Sequence, residues 1–579
     1  MAQSLPQHLK KYIVQQDYSK YTSLDHAVWR YILRQLRAFL SKHGHPSYLE
    51  GLKKTGIEID RIPKISEISS KLEKFGWRAL PVSGFIPPAA FMELQALGVL
   101  PIASDMRTLD HLEYTPAPDI VHEAAGHAPI LADPEFAEYL RQYAQVAKKA
   151  IISSEDLAQY EAIRVLSDLK ENPASTETQI AAAQKNLDRV SKNISHISEA
   201  AQLSRMNWWT AEYGLIGSLE EPKIFGAGLL SSVGESRWCL SDKVKKLPLT
   251  VDCIQTSYDI TEPQPQLFVT PDFKTLSKVL NQFSRKMAFR HGGLEGVNKA
   301  IQAQSVTTIA LNSGLQISGI CSEALLTEHG ELAYLKLRGP VQLSAKDQEL
   351  LGHDKQYHKD GFGSPVGFFK AKPTDCPSTL NDADLKNLGF EKDALVQFQY
   401  SNGIEIKGIY KSNLRVDGKL ILMTFENCLV TWKGQTLFDP SWGTYDMAIG
   451  SSVSSVFGGP ADRISYGETD DFVAARVPQP KYSDEQKLLF DLYQQVRQLR
   501  ESKVTDLELE KSLEPILKTH AEHFPKDWLL KLEAFELLLS RAPKSSLKTK
   551  LRSELKDLSS SAPEKKAVIE DGLSLAHQL

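Results

Sequence analysis

The sequence of 579 residues predicts a multidomain protein, with a mainly α-helical domain at residues 1–305, a β-rich domain at 306–470 and a helical C-terminal region at 471–579. Apolar side chains recur at helical spacing in the first and last parts. The middle part instead has strand-forming runs separated by turn-forming dipeptides. A chain of this length can bury several hydrophobic cores, one for each part.

The first helical stripe follows Asp25. Val28, Ile32, Leu36 and Leu40 recur every four residues and therefore lie on one face of a predicted helix. Because an apolar stripe is stable only when it is covered, we expect this helix in the core of the first domain. A second helical feature is residues 151–204, a charged and Ala-rich segment with a break at Asn172-Pro173, which predicts an added helical hairpin at the surface.

The β-rich domain is predicted from four strand-forming runs, at residues 332–341, 396–400, 404–410 and 419–424. Asn402-Gly403 and Asp417-Gly418 separate some of these runs, and both dipeptides favour two-residue hairpin turns.

Two other features of this domain have simpler interpretations. The glycine-rich stretches 361–363 and 458–460 lack the pattern of a phosphate-binding loop and are predicted to be turns. His353, His358 and Asp360 either bind a metal ion or belong to a polar loop, which is the commoner case.

The C-terminal region begins with a helix start signal, because Ser483 is followed three residues later by Gln486. One apolar stripe follows, at Leu488, Leu489, Leu492, Val496 and Leu499. Such stripes predict a packed helical bundle, and the alternative is a surface for a homo-oligomer or a protein partner.

Composition excludes several classes of protein. A net charge of −4 argues against a general nucleic-acid binder. No apolar run approaches the roughly 18 residues of a membrane span, and the first residues lack the apolar core of a signal peptide, so we expect a cytoplasmic protein without a membrane partner. The five cysteines are scattered without paired spacing, which predicts reduced thiols.

The most informative segment, residues 118–129, contains His122 and His127 together with two carboxylates and a glycine. The two histidines are five residues apart, so on an ideal α-helix they would diverge by roughly 140°. Both can face one metal ion only if the backbone bends between them, and Gly126 is the expected position of the bend. A zinc peptidase is disfavoured because its helix carries the histidines four residues apart.

A third ligand is expected far downstream, at Glu212 within residues 207–214. Two histidines and one carboxylate form a facial triad, which leaves coordination positions open and is typical of non-haem Fe(II) oxygenases.

Several further motifs occur around these residues in a fixed order. They are QDYSKY at 16–21, DHAVWR at 25–30, GWR at 76–78, VSGFI at 82–86, YTPAPD at 114–119, WWTAEYG at 208–214, GAGLLSS at 226–232 and TEPQP at 261–265. In this order they closely resemble the tetrahydropterin-dependent aromatic amino acid hydroxylases, over about residues 12–290. The resemblance implies the mostly helical fold of that family, and the start near Gln16 is similar to bacterial members, which lack an amino-terminal regulatory domain.

The resemblance implies that His122, His127 and Glu212 are the catalytic residues that bind Fe(II). It further implies a reduced cofactor, tetrahydrobiopterin or a related tetrahydropterin, and two reactants, O2 and an aromatic amino acid. Matching positions assign substrate-binding residues: Arg107 as the clamp on the substrate carboxylate, oriented by Asp119; the hydroxyls of Thr115 and Ser231; and a ring pocket of Pro118, Trp208 and Gly228. They also assign the pterin-binding residues Gly84, Ile86, Phe91 and Glu123.

The expected reaction is L-phenylalanine to L-tyrosine. Trp208 matches members that use phenylalanine or tyrosine. Ile260 matches a position that is apolar in phenylalanine users and acidic in tyrosine users. Asp259 is adjacent, and a shift of one residue in the loop would bring its carboxylate to that position. Alternatives left open are hydroxylation of tyrosine or tryptophan, a zinc hydrolase with Glu123 as its general base, and an inactive hydroxylase-like scaffold that serves the C-terminal half. Departures from the family pattern are Pro88, Ala117 and Asn207.

Overall fold

The structure is a computed structural model, and it describes residues 5–84, 86–112, 118–171, 175–259, 262–467 and 482–576. Helices and strands alternate irregularly along the chain. The α-helices are α1 Gln7–Lys10, α2 Ser23–His43, α3 Ser47–Thr55, α4 Ile65–Leu72, α5 Pro88–Ala96, α6 Ala128–Ile130, α7 Pro134–Ala147, α8 Ser154–Glu171, α9 Glu177–Lys192, α10 Glu199–Asn207, α11 Ala227–Leu230, α12 Val233–Trp238, α13 Phe273–Ser284, α14 Ala288–His291, α15 Gly293–Ala303, α16 Asp382–Asn387, α17 Arg463–Tyr466, α18 Asp484–Glu501, α19 Asp506–His523, α20 Leu529–Arg541, α21 Ser546–Ser561 and α22 Lys566–Ala576.

Two segments are π-helical, Val121–His127 and Trp208–Glu212. The strands are β1 Arg78–Val82, β2 Val99–Ala103, β3 Leu215–Gly217, β4 Pro222–Ile224, β5 Lys245–Pro248, β6 Gln266–Thr270, β7 Val306–Leu311, β8 Leu315–Leu326, β9 Leu332–Ala345, β10 Gln348–Glu349, β11 Gly361–Pro365, β12 Leu395–Gln399, β13 Glu405–Val416, β14 Lys419–Trp432, β15 Gln435–Phe438, β16 Tyr445–Ala448 and β17 Val453–Gly458.

The chain forms two compact units, each built from separate stretches of sequence. The first unit comprises Met1–Lys10, Tyr143–Arg205 and Lys278–Val473. The second unit comprises Lys11–Gln142, Met206–Ser277 and Ala474–Leu579. The domain limits at residues 305 and 470 stay a prediction.

Helix α2 lies in the core of the second unit. Its predicted apolar stripe is confirmed, because Val28, Ile32, Leu36 and Leu40 are each at most 1% exposed. The helix begins with a capping box, in which the Thr22 hydroxyl accepts from the backbone N–H of residue 25 and that residue's carboxylate accepts from the Thr22 N–H.

The C-terminal helices pack against α2 in this same unit, through α18, α20 and α22. The predicted helix start at Ser483 is confirmed as a capping box with Gln486. Within the stripe of α18, Leu492 and Val496 are buried. The Tyr31 hydroxyl of α2 donates a 2.6 Å hydrogen bond to the carbonyl of Val568 in α22. The second unit also contains the parallel pair β1–β2 and a sheet in the order β4-β3-β6-β5.

The first unit contains two antiparallel sheets. One has the order β10-β9-β8-β7-β17, with β11 paired to β9, and the other has the order β12-β13-β14-β15, with β16 paired to β14. Both predicted hairpins are confirmed: residues 400–404, which include Asn402-Gly403, connect β12 and β13, and residues 417–418 connect β13 and β14.

The stretch at residues 361–363 was predicted to be a turn, and this prediction is wrong, because it opens strand β11. Its glycines are explained by close packing. A Cβ at Gly361 would lie 2.6 Å from the carbonyl oxygen of Leu337, and a Cβ at Gly363 would lie 2.7 Å from the hydroxyl of Tyr334. Only glycine permits β11 to approach β9 this closely.

The segment at residues 151–204 belongs to the first unit. Its helices α8 and α9 contact each other, and residues 172–174 between them lie outside the described part. The base of the segment is tied to its unit: Ile151 lies in the apolar core of the sheet around β8, and the Glu199 carboxylate accepts from the N–H of Ala288 at 2.8 Å.

Candidate metal centre and substrate site

The two histidines lie on the π-helical segment Val121–His127. Hydrogen bonds of a π-helix join residues five apart, and here the N–H of Ala128 donates to the carbonyl of Glu123. Residues five apart, such as His122 and His127, therefore lie on the same face of the segment, one turn apart. The prediction of a bend at Gly126 was wrong, because π winding of the whole segment aligns the rings.

The glycine at position 126 is explained by close packing and not by a bend. A Cβ at this position would lie 2.5 Å from the carbonyl oxygen of Ala227, the first residue of α11. Glycine therefore permits the histidine segment to pack directly on the backbone of α11.

Glu212 ends the second π-helical segment, in which the N–H of Tyr213 donates to the carbonyl of Trp208 at 2.8 Å. Its carboxylate contacts both histidines: Oε2 lies 3.4 Å from Nε2 of His122, and Oε1 lies 3.2 Å from Nε2 of His127. The three ligands predicted from the sequence thus converge. Asn207, a departure from the family pattern, donates from Nδ2 to Oε1 of Glu212 at 3.4 Å.

Electrostatics in this cluster favour opposite charges. Burial opposes ionisation of Glu212, but His127 and His122 outweigh burial and hold the pKa of Glu212 well below its usual range. Burial likewise opposes the charged form of His127, but the Glu212 carboxylate outweighs it and raises the pKa of His127 to about 9. A cation at this position would replace the proton on the histidine side.

A second carboxylate, that of Glu123, faces the histidine pair. Ligand atoms of His122, Glu123 and His127 lie within 4.8 Å of one another. Burial raises the pKa of Glu123, and its Oε2 is buried without a hydrogen-bond partner among the described residues. The sequence interpretation placed Glu123 beside the pterin, or, in the alternative of a zinc hydrolase, as a general base beside the metal ion. Of the two carboxylates, Glu212 is in direct contact with both rings.

This donor set fits a divalent metal ion. Imidazole nitrogen and carboxylate oxygen bind such ions at about 2.0–2.2 Å, so neighbouring ligand atoms around one ion lie roughly 3 Å apart. The two contacts of Glu212, at 3.2 and 3.4 Å, are close to that spacing. A set of two histidines and one carboxylate is also the set that non-haem Fe(II) uses.

Arg107 and Asp119 form a buried bidentate pair. Nε of Arg107 donates to Oδ2 and Nη2 donates to Oδ1, both at 2.7 Å. Asp119 also accepts from the backbone N–H of His122 at 3.0 Å, so it links the guanidinium to the histidine segment. Burial opposes ionisation of Asp119, but Arg107 holds its pKa below the usual range.

Ser231 joins these two parts of the site. Its hydroxyl donates to the carbonyl of Ala227 at 2.7 Å and lies 3.2 Å from Nδ1 of His122, while its own carbonyl accepts from Nη1 of Arg107 at 3.4 Å. The hydroxyl is therefore placed to orient the His122 ring, a contact that the sequence did not indicate.

Trp208 lies between two tyrosine rings. It stacks on Tyr213 at 4.4 Å and on Tyr258 at 4.3 Å between ring centroids. A Cβ at Gly228 would lie 2.9 Å from the ring of Tyr213, so this glycine permits α11 to pack beside the stack. Pro118 is half-buried just before the histidine segment. Thr115 and Ile260 lie outside the described residues.

Three of the four residues assigned to the pterin, Gly84, Ile86 and Phe91, lie between β1 and the first turns of α5. The N–H of Gly84 donates to the carboxylate of Asp105 at 3.3 Å, and the carbonyl of Asp105 accepts from Ile120, just before the histidine segment, at 2.8 Å. Asp105 thus connects the glycine loop to the candidate metal centre. Ile86 is 7% exposed, and Phe91 is half-buried on α5.

None of the helices in the described ranges is both long and apolar enough to cross a membrane.

Comparison with known proteins gives consistent matches over the first half of the chain. The family model described as biopterin-dependent aromatic amino acid hydroxylase matches residues 9–160 and 172–297. The chain is 30% identical over 269 residues to the phenylalanine-4-hydroxylase of Mesorhizobium japonicum, covering 46% of this chain and 81% of that protein. It is 29% identical over 264 residues to the phenylalanine-4-hydroxylase of Pseudomonas aeruginosa, covering 45% and 84%.

Among solved structures, the phenylalanine hydroxylase of Chromobacterium violaceum with bound iron(III) and 7,8-dihydrobiopterin is 26% identical and covers 48% of this chain and 88% of that chain, with a TM-score of 0.37. The family match and the relative that is 30% identical over most of its length agree with the motifs around the histidine pair. The chain therefore belongs to the biopterin-dependent aromatic amino acid hydroxylase family.

Proposed function

We propose that this protein is an iron- and tetrahydropterin-dependent monooxygenase that hydroxylates an aromatic amino acid with O2, and that its main reaction converts L-phenylalanine to L-tyrosine. The observation that carries the proposal is the convergence of His122 and His127 on the two oxygens of Glu212, at 3.4 and 3.2 Å. The family of the chain and its relatives named phenylalanine-4-hydroxylase support the same function.

In this proposal, Fe(II) is held by His122, His127 and Glu212. Bound there, the metal would bring O2 into reaction while the reduced pterin supplies two electrons. The chain's own residues hold this arrangement in place. Asp119 accepts from the N–H of His122, and the hydroxyl of Ser231 lies beside Nδ1 of the same ring, so the imidazole is oriented from two sides.

Arg107 would bind the carboxylate of the amino acid substrate. Its Nε and Nη2 are engaged by Asp119, and Nη1 makes only a long contact of 3.4 Å with the Ser231 carbonyl. A guanidinium held in this way keeps its charge and its orientation when a substrate carboxylate arrives. We assign Ser231 and Thr115 to the polar end of the substrate as well.

Pro118, Trp208 and Gly228 would form the pocket for the substrate ring. Because Tyr213 and Tyr258 cover both faces of Trp208, a substrate ring would meet the edge of the indole unless Tyr258 moves away. Edge-to-face contact of aromatic rings is favourable, and a phenyl ring needs the least space for it. This favours phenylalanine over the bulkier tryptophan as the substrate. Tyrosine is discriminated less strongly, because an apolar pocket rejects an added hydroxyl only weakly.

Gly84, Ile86, Phe91 and Glu123 would bind the pterin. The support is the link through Asp105, whose carboxylate and carbonyl connect the loop at Gly84 to the start of the histidine segment. Glu123 lies close to both histidines and its Oε2 has no partner among the described residues, so it can accept a hydrogen bond from a pterin or from water.

We further propose that the protein acts in the cytoplasm, that residues 1–305, 306–470 and 471–579 are its domains, and that any homo-oligomer or protein partner binds through the C-terminal half. Helices α18, α20 and α22 pack on α2. This packing supports a structural role for the C-terminal region, which is to cover a central helix of the hydroxylase core.

The experiment that tests the proposed function compares kcat/KM for L-phenylalanine, L-tyrosine and L-tryptophan with Fe(II), O2 and a reduced pterin. We expect the highest value for L-phenylalanine and no turnover when Zn2+ replaces Fe(II). Preference for another amino acid would contradict the proposed substrate but not the proposed hydroxylase activity. Absence of any hydroxylation would favour the inactive scaffold, and hydrolysis with Zn2+ would favour the hydrolase.

A further inference from the structure

A second group of metal-ligand type lies in the β-rich part of the first unit. His353, His358 and Asp446 offer ligand atoms that lie within 4.8 Å of one another. Nδ1 of His353 is 3.2 Å from Nε2 of His358. Asp446 is far from both histidines in the sequence, so no local sequence motif predicts this group.

The backbone holds both histidines against strand β9. The N–H of Leu343 donates to the carbonyl of His353 at 3.0 Å, and the N–H of Val341 donates to the carbonyl of His358 at 3.1 Å. The loop between the two histidines is therefore anchored at both ends, which keeps the rings together without a ligand.

Asp446 comes from the other sheet of this unit. It lies on β16, where its cross-strand partner is Thr424 of β14, and β16 contacts β11. The hydroxyl of Thr424 donates to Oδ1 of Asp446 at 2.8 Å, which orients the carboxylate. The loop 350–360 and the strand β16 thus meet where the two sheets approach each other.

The other oxygen of Asp446 makes this group unusual. Oδ2 is buried, Asp446 is only 5% exposed, and the group that acts on its carboxylate from the histidine loop is the phenol of Tyr357. Burying a carboxylate is costly, and a cation bound to it would offset that cost. A phenol is a neutral donor and leaves the charge of a carboxylate uncompensated, so a cation can still bind there.

Asp360, which the sequence suggested as the third member of the group, is not part of it. Its side chain is 91% exposed and lies 3.7 Å from the ammonium group of Lys359. The carboxylate that completes the group could be found only from the way the sheets pack.

A hydrogen bond between the two imidazoles is the simplest alternative, since 3.2 Å also suits an N–H donor and a nitrogen acceptor. It does not involve Asp446, which offers a ligand atom within 4.8 Å of those of both histidines. A four-coordinate ion with bonds of about 2.0–2.1 Å places neighbouring ligand atoms about 3.3 Å apart. The distance between the two ring nitrogens matches this spacing.

We propose that Nδ1 of His353, Nε2 of His358 and Oδ2 of Asp446 bind a divalent transition-metal ion. Nitrogen and carboxylate ligands suit Zn2+, Co2+ and Fe(II), and Zn2+ is the ion to test first. Three protein ligands leave one position for water, which can enter beside the half-exposed His353. Such an ion would cross-link the loop 350–360 to β16.

The test uses Zn2+ and the full chain, with His122→Ala and His127→Ala introduced together so that the first metal centre no longer competes. We expect one equivalent of Zn2+ by isothermal titration, and a tenfold or greater loss of affinity in Asp446→Asn. Asparagine keeps the shape and the contact with Thr424 but removes the charge. His329→Ala, at an exposed histidine of the same unit, is the matched control and should bind Zn2+ like its parent.

His353→Gln decides the matter if Asp446→Asn does not fold, because residue 353 is half-exposed and its replacement is tolerable in the fold. The same tenfold loss in a folded His353→Gln protein supports the site. No binding of Zn2+ by the parent, or equal binding by the parent and the folded Asp446→Asn or His353→Gln variant, would overturn the proposal.

Discussion

Arg30 and Glu533 form a buried ion pair, with Nη2 of Arg30 2.5 Å from Oε2 of Glu533 and the two side chains 2% and 3% exposed. Arg500 joins them, because its Nη2 lies 3.0 Å from the same oxygen. Arg30 belongs to α2, inside the family match, whereas Glu533 lies on α20, well beyond residue 297 where the match ends. The C-terminal helices therefore supply the counter-charge of a buried arginine in the hydroxylase part.

We predict that Glu533→Ala lowers the free energy of unfolding of the second unit by about 3–5 kcal/mol, because it leaves a buried guanidinium without a counter-charge. Chemical denaturation followed by circular dichroism measures the loss. Glu501→Ala is the control, since Glu501 is 62% exposed in its pair with Arg497 and its loss should cost no more than about 0.5 kcal/mol. Equal stability of the Glu533 and Glu501 variants would contradict the prediction.

This pair also predicts a dependence of stability on pH. Burial opposes ionisation of Glu533, but Arg30 and Arg500 outweigh it and lower its pKa to about 2 in the folded protein. In the unfolded chain a glutamate titrates near pH 4.3, so the unfolded state takes up the proton first as the pH falls. The stabilisation is complete above the unfolded pKa and is lost as the pH falls toward the folded one.

We therefore expect the stability difference between wild type and Glu533→Gln to shrink from about pH 5 to about pH 2. Urea denaturation at a series of pH values measures it. A difference that stays constant over this interval, or grows as the pH falls, would show that the carboxylate is not held ionised by the arginines.

Gly126→Ala tests the close packing of the histidine segment on α11. The added methyl group would lie 2.5 Å from the carbonyl oxygen of Ala227, so one of the two backbones must move. We predict a loss of about 1–3 kcal/mol in the free energy of unfolding, typical of overpacking, together with weaker binding of Fe(II). Denaturation and the iron content after dialysis measure these effects. A variant with unchanged stability and iron content would show that the contact is not required.

Arg107→Lys tests the carboxylate clamp. Lysine keeps the charge but cannot donate in parallel to both oxygens of Asp119, so the charge would no longer be held in place. We expect KM for the amino acid to rise tenfold or more, which corresponds to about 1.4 kcal/mol, while KM for the pterin changes little. Steady-state kinetics in both substrates provide the comparison, with Arg552→Lys, at an exposed arginine of the same unit, as the control. An equal rise in KM for the amino acid and for the pterin would show that Arg107 does not bind the substrate carboxylate.

Local features of the fold could be predicted from the sequence because they depend on neighbouring residues. The stripe of α2, the capping box at Ser483 and the hairpins at residues 402–403 and 417–418 all have short-range causes. The structure also brings the histidine pair and Glu212 together, and their role as metal ligands stays a prediction from the expected chemistry and the family resemblance.

Features with long-range causes could not be predicted. No pattern in the sequence distinguishes the π-helical winding of Val121–His127 from an α-helix with a bend. The enclosure of Trp208 by Tyr213 and Tyr258, and the completion of the second histidine group by Asp446, depend on packing between distant segments. The partner of Arg30 is 503 residues away, so its ion pair was equally hidden.

The measurement that tests the central claim most directly follows tyrosine formation from L-phenylalanine together with the iron content of the same preparations. Wild type, Glu212→Ala and Glu123→Ala are loaded with Fe(II) and supplied with O2 and a reduced pterin. We predict one iron per chain and tyrosine formation in wild type, loss of both in a folded Glu212→Ala protein, and retained iron in Glu123→Ala. Full iron content and full activity in Glu212→Ala would contradict the assignment of the metal centre.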